Sequence, residues 1–78
     1  MSNLDIYNQV YIENFKVNSD QLETLVYRSF SGWDSVGHMM LISALEEAFN
    51  IEVSHEDIIA FSSYKTGKEI LNRYHVII

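Results

Sequence analysis

The sequence predicts an all-α fold: a bundle of four helices, three longer and one short, with a long loop after the first helix. Three observations lead there. Apolar residues recur every three or four positions in separate stretches. Ser, Asp and Asn, the residues that cap helices, stand at the edges of those stretches. The one alternating segment, Ile51-Glu52-Val53, is too short for a strand and has no pairing partner.

The first helix is expected from Asn3 or Asp5 to Phe15, with Leu4, Ile6, Tyr7, Val10, Tyr11 and Phe15 on its apolar side and Asn3 or Asp5 as cap. Residues Lys16 to Asp34 form a connection that is too long to stay structureless in a small domain. It contains Leu22, Leu25, Val26, Tyr27 and Phe30, so it is expected to pack across the bundle with a short turn near Asp20 to Leu25. The second helix is expected from Ser35 or Val36 to Phe49. Val36, Met39, Ile42, Leu45 and Phe49 form one stripe on it, and Asn50 is the stop signal. Met39, Leu41, Ile42, Leu45 and Phe49 are expected in the core. A short third helix, His55 to Ala60, is capped by Ser54, with Asp57 completing a box-like start. The fourth runs from Tyr64 to Tyr74 after Ser63, with Ile70 and Leu71 inward and Gly67 weakening it by about 1 kcal/mol relative to Ala. His75 to Ile78 either frays or covers the bundle end.

Seventy-eight residues make one domain, residues 1–78. Eleven acidic and five basic side chains give a net charge of −6, which opposes nucleic-acid binding and favours partners with basic surfaces. No cysteine is present, so there is neither a disulfide framework nor a protein thiol for catalysis. No stretch approaches the ~18–20 apolar residues of a membrane span. The first residues lack the basic start and apolar centre of a signal peptide, and a cytoplasmic protein is expected. No long apolar seam remains once the core is filled, so a monomer is expected. His38, His55 and His75 show no metal-ligand spacing, and no metal site is expected. Glu46 and Glu47 are adjacent on a helix and diverge, forming a solvated face or a docking patch rather than a catalytic pair. With no convergent acid, base and nucleophile, no catalytic residue is assigned and an enzyme is not expected.

Ser35 stands between a glycine-containing loop and the apolar run of the second helix. As an N-cap it would face free backbone N–H groups, where the helix dipole also favours phosphate by about 0.3–1 kcal/mol. Most such serines are caps and nothing more. Here Asp34-Ser35-Val36 is followed by Leu41, then Ala44-Leu45-Glu46-Glu47-Ala48-Phe49, then Ile51-Glu52-Val53, with Asp57-Ile58-Ile59 and Ser62-Ser63-Tyr64 beyond. The pattern resembles the acyl and peptidyl carrier protein family from Trp33 to about Tyr74; before Gly32 only length and apolar spacing fit. The resemblance implies a carrier-type helical bundle in which Ser35 bears a covalent 4′-phosphopantetheine arm taken from coenzyme A. A phosphopantetheinyl transferase would attach it, using its own Mg²⁺. It further implies an acyl- or aminoacyl-loading ligase or transferase and downstream biosynthetic enzymes as partners. By the same resemblance Asp34 belongs to the transferase's recognition motif.

The string Trp33-Asp34-Ser35-Val36-Gly37-His38-Met39 is similar to stand-alone carriers of specialised biosynthetic pathways. In fatty-acid-type carriers the exposed face of this helix opens with carboxylates. Here Gly37 and Met40 take two of those positions, and Glu46 and Glu47 are the acids that remain. Trp33, Val36, His38, Met39, Met40, Glu46 and Glu47 are the candidate docking residues, for a specialised partner with less charge steering. Two of them carry a plainer alternative: Trp33 packs under the loop, and Met40 packs against it. Acyl cargo is favoured by the net acidity, with aminoacyl or peptidyl cargo as the alternative. A further alternative is an unmodified helical interaction module that uses Tyr7, Tyr11 and Tyr64 as exposed aromatics, with Ser35 as a cap only.

Overall fold

A computed structural model describes residues 1–78. The order of elements is α1 (Asn3–Phe15), a 3₁₀ helix (Ser19–Thr24), α2 (Ser35–Phe49), α3 (His55–Ala60) and α4 (Tyr64–Asn72). Helices take up 63% of the residues, and the sole β-type pairing is an isolated bridge between Val26 and Ser63. The turn expected near Asp20 to Leu25 is thus a helix of its own, which brings the helix count to five. α1 packs on α2, and the 3₁₀ helix packs on both α1 and α4. No helix is long and apolar enough to cross a membrane.

The caps explain where the helices start and stop. α1 begins one residue earlier than its expected caps, because Ser2 and Asp5 form a reciprocal capping box: Asp5 N–H donates to Ser2 Oγ at 3.1 Å, and Ser2 N–H donates to Asp5. α2 is capped by Asp34, not Ser35. Its Oδ1 accepts from Gly37 N–H at 2.8 Å, and Ser35 is the first helical residue. Ser54 and Ser63 cap α3 and α4 as expected, and Asn50 ends α2 in the left-handed conformation with φ 54°. α4 stops at Asn72, two residues short of the expected end. Val76 N–H reaches back to Leu71 O and His75 N–H to Asn72 O, with His75 at φ 66°. That pair of bonds is a Schellman closure, and it buries Val76 over the end of the bundle.

The core is aromatic. Tyr7, Tyr11, Tyr64, Phe15, Trp33 and Phe61 pack with Leu41, Ile42, Leu45 and Leu71. Tyr7 and Tyr11 meet edge to face at 4.9 Å between ring centres, and Tyr11 meets Tyr64 at 5.2 Å. Tyr7, Tyr11 and Tyr64 are therefore buried, contrary to their role as exposed aromatics in the interaction-module alternative. Burying a phenol is tolerable only if the hydroxyl is bonded. Tyr7 donates to the Tyr64 carbonyl at 2.6 Å, which leaves Tyr11 to donate to the Tyr7 oxygen at 2.9 Å, while Tyr64 donates to Asn8 Oδ1. Gly67 has its reason here: a Cβ at that position would lie 2.3 Å from both the Tyr7 hydroxyl and Phe61 Cζ.

α3 contains no fully buried residue and is fastened by polar contacts. Tyr74 donates to Asp57, accepts from Ser54 N–H at 2.9 Å, and stands beside the Arg73–Asp57 ion pair of 2.7 Å.

Two pH limits follow. Burial holds the Tyr7 and Tyr11 phenols well above the ordinary value of 10.0. The unfolded chain loses those protons near pH 10 and the folded chain does not. Stability from these groups is therefore intact below about pH 10 and falls as pH rises beyond it. Alkaline titration followed by tyrosinate absorbance should show Tyr7 and Tyr11 ionising only together with the loss of helical circular dichroism. At the acid end, the Tyr74 hydroxyl first, then Ser54 and Arg73, hold Asp57 below the ordinary 3.8. Its contribution is present above about pH 4 and lost as pH falls through the depressed value. Asp57→Asn should lower the melting temperature at neutral pH and flatten its decline in acid.

Candidate functional site

The loop before α2 is built on Trp33, which is 0% exposed. Its ring stacks on Phe15 at 5.2 Å and meets Tyr11 edge on at 5.8 Å. Its indole N–H donates to His38 Nδ1 at 2.9 Å. An indole only donates, so Nδ1 carries the lone pair, and His38 Nε2–H is left to donate to the Ile58 carbonyl at 2.8 Å. Loop, α2 and α3 are thus joined through one imidazole. Of the two readings of Trp33, the structure gives packing. His38 is half-buried with both nitrogens engaged, and so braces the fold. Glu46 is also drawn inward, accepting from Val53 N–H at 2.9 Å, while Glu47 is exposed.

Gly37 fits the same junction. A Cβ there would fall 2.2 Å from the Gly32 carbonyl oxygen, so the loop backbone lies directly against the first turn of α2. That approach places Asp34 to cap the helix. It also leaves the Ser35 side chain pointing away from capping duty, exposed, with one long contact to the Tyr27 hydroxyl at 3.4 Å.

Two surface grooves meet at Ser35. One, of about 350 Å³ between α2 and α3, is lined by Tyr27, His38, Met39, Ile58, Ile59 and Phe61 among others. The other, of about 610 Å³ on the α1 side of α2, is lined by Asn14, Val36, Met40, Ser43, Ala44 and Glu47. Ser35 and Met39 line both. Val36, Met39 and Met40 are 68%, 50% and 59% exposed, so the expected stripe turns outward at its N-terminal end, and Met39 is not core. Met40 is exposed rather than buried under the loop. Together with Ile59, 70% exposed, these side chains make an uncharged apolar surface beside a free hydroxyl.

From the sequence, Tyr27 has only a packing role in the connection and Arg28 is not singled out; Tyr27 lies at this site, with Arg28 beside it. Tyr27 reaches Ser35, and the Arg28 guanidinium lies over the Tyr27 ring at 5.5 Å. The one sequence signal for them is a cation eight residues or fewer before Ser35 in a chain with five basic residues.

Gly37→Ala tests the close approach of loop and helix. On helix propensity alone Ala gains about 1 kcal/mol. The contact with backbone should reverse that sign and give a net loss of about 1–2 kcal/mol in urea unfolding, since overpacking typically costs about 1–3 kcal/mol. A gain in stability would show that the Gly32 carbonyl yields freely.

No family model matches the chain, and neither a curated protein nor a solved structure is significantly similar to it.

Proposed function

We propose that the chain is a carrier protein of the acyl-carrier architecture, bearing a 4′-phosphopantetheine arm on Ser35 and serving a specialised biosynthetic pathway. The observation that carries this reading is the state of the Ser35 hydroxyl. It is exposed on the first turn of α2 and released from capping by Asp34, with an apolar groove on either side. A serine that served only as a cap would have its oxygen turned to the backbone N–H groups; here a neighbouring carboxylate does that work. The arrangement of a long first loop, α2 opening at the serine and a short α3 also suits the family.

The residues around Ser35 fit such a group. The hydroxyl has open space for a phosphodiester, Arg28 supplies a nearby cation, and the grooves offer apolar walls for a flexible chain. In the attachment reaction Ser35 Oγ forms the new bond to phosphorus, and the pyrophosphate bond of coenzyme A breaks. The adenosine bisphosphate leaves, and the serine proton passes to a base of the transferase. The arm, once bound, supplies a thiol that takes acyl cargo as a thioester. The chain's own residues then have three tasks. Asp34 presents the serine by fixing the start of α2 and belongs to the surface that the transferase recognises. The Trp33–His38–Ile58 line keeps α3 beside the arm. Val36, Met39 and Met40 meet the loading enzyme and the downstream enzymes through apolar contact, with Glu47 at the far end of the face. The carrier raises the local concentration of its cargo at a docked partner and performs no chemistry itself.

Incubation with coenzyme A, Mg²⁺ and a broad-specificity phosphopantetheinyl transferase should add one phosphopantetheine to the intact mass of the wild type and none to Ser35→Ala. A folded wild type that gains nothing with two different transferases would overturn the reading.

A further inference from the structure

Four residues other than glycine have positive φ. Lys16 and Asn50 end α1 and α2, and His75 closes the turn after α4, where left-handed residues are usual. Arg28 stands in mid-loop, with φ 66°. It is the third residue of a turn closed by Ser29 N–H to Val26 O at 2.9 Å, a position that normally takes glycine or asparagine. Strained backbone of this kind persists where its surroundings hold it and where it has a use. Here Tyr27 N–H donates to Ser62 O at 2.8 Å and Arg28 N–H to Trp33 O at 2.9 Å, so both residues are pinned.

The Tyr27 side chain reaches Ser35, and the Arg28 side chain lies over Tyr27. The guanidinium lies 5.5 Å from the Tyr27 ring centre, and the Tyr27 hydroxyl lies 3.4 Å from Ser35 Oγ. Lys68 pairs with Glu23 and Arg73 with Asp57, whereas Arg28 has no carboxylate at ion-pair distance. The Ser35 hydroxyl first, and Arg28 next, draw the Tyr27 phenol below its ordinary value. Asp34 works against an anion here, but its Oδ1 is committed to Gly37 N–H, and Arg28 offsets the remaining charge.

We propose that Tyr27 and Arg28 are a positioning pair that holds the phosphodiester of the arm on Ser35 and fixes the root of that arm. The pair offers one hydroxyl and one guanidinium, and charge-assisted bonds to phosphate are the strong kind. This rests on the carrier reading and adds to it the residues that orient the arm.

The chain has two arginines, so side-chain Nε–H nuclear magnetic resonance signals give a probe and an internal control. On conversion from the apo to the phosphopantetheinylated protein, the Arg28 signal should move and the Arg73 signal should stay. The phosphorus-31 resonance of the loaded protein should shift in Arg28→Gly, a variant that relieves the strained φ and so keeps its fold, and in Tyr27→Phe. If intact mass shows Ser35 modified while the Arg28 signal is unmoved and the phosphorus resonance is the same in all three proteins, the clamp is wrong and the carrier reading stands. If no mass is gained, both fall.

Discussion

The bond from the Trp33 indole to His38 and the bond from the same imidazole to the Ile58 carbonyl govern the surroundings of Ser35. Trp33 is held on its other side by Phe15 and Tyr11 of α1. The line therefore runs from α1 through the loop and α2 to α3, across the whole end of the molecule that presents the serine. α3 depends on it most, since it has no fully buried residue of its own. An imidazole suits this place because one nitrogen accepts while the other donates, matching a donor-only indole and an acceptor-only carbonyl.

The same economy appears in the aromatic core. A chain of this length has little apolar surface to bury, and large rings bury the most per residue. Tyrosines bring hydroxyls with them, and each of those in the core finds an internal partner, so no buried side-chain polar atom is left unpaired. The tyrosines thereby lock α1 to the start of α4, because Tyr7 bonds the Tyr64 backbone and Tyr64 bonds Asn8. Gly67 is needed for that lock, which outweighs its weakness as a helix former.

Helix boundaries were legible wherever one residue did the capping. Ser54, Ser63 and Asn50 acted as their types suggest. Asp34 and Ser35 are adjacent and rank equally as caps, so local preference does not choose between them. The choice is made by the Gly32 carbonyl pressing on Gly37, a contact between loop and helix that no spacing rule reveals. Spacing placed Tyr7 and Tyr11 on the apolar side of α1, where they are buried, whereas the burial of Tyr64 turns on bonds spanning more than fifty residues of sequence. Tyr27 and Arg28 lie in irregular backbone, where periodicity carries no signal. The stripe on α2 was correct from Ile42 onward and failed at Val36 and Met39, because the first turn of α2 faces grooves rather than another helix.

The lack of acid on the exposed start of α2 has two separate origins. Position 37 is glycine because any side chain would meet backbone 2.2 Å away, so its missing charge is a packing matter and says nothing about partners. Met40 is different. It is 59% exposed, and Val36 is 68% exposed. Leaving three such side chains in water beside the serine, on a protein otherwise rich in acid, is costly unless another surface covers them in turn. A partner drawn only by charge would not need them. On the carrier reading, apolar docking thus falls to Val36, Met39 and Met40, while His38 and Trp33 serve it indirectly by holding that surface in place.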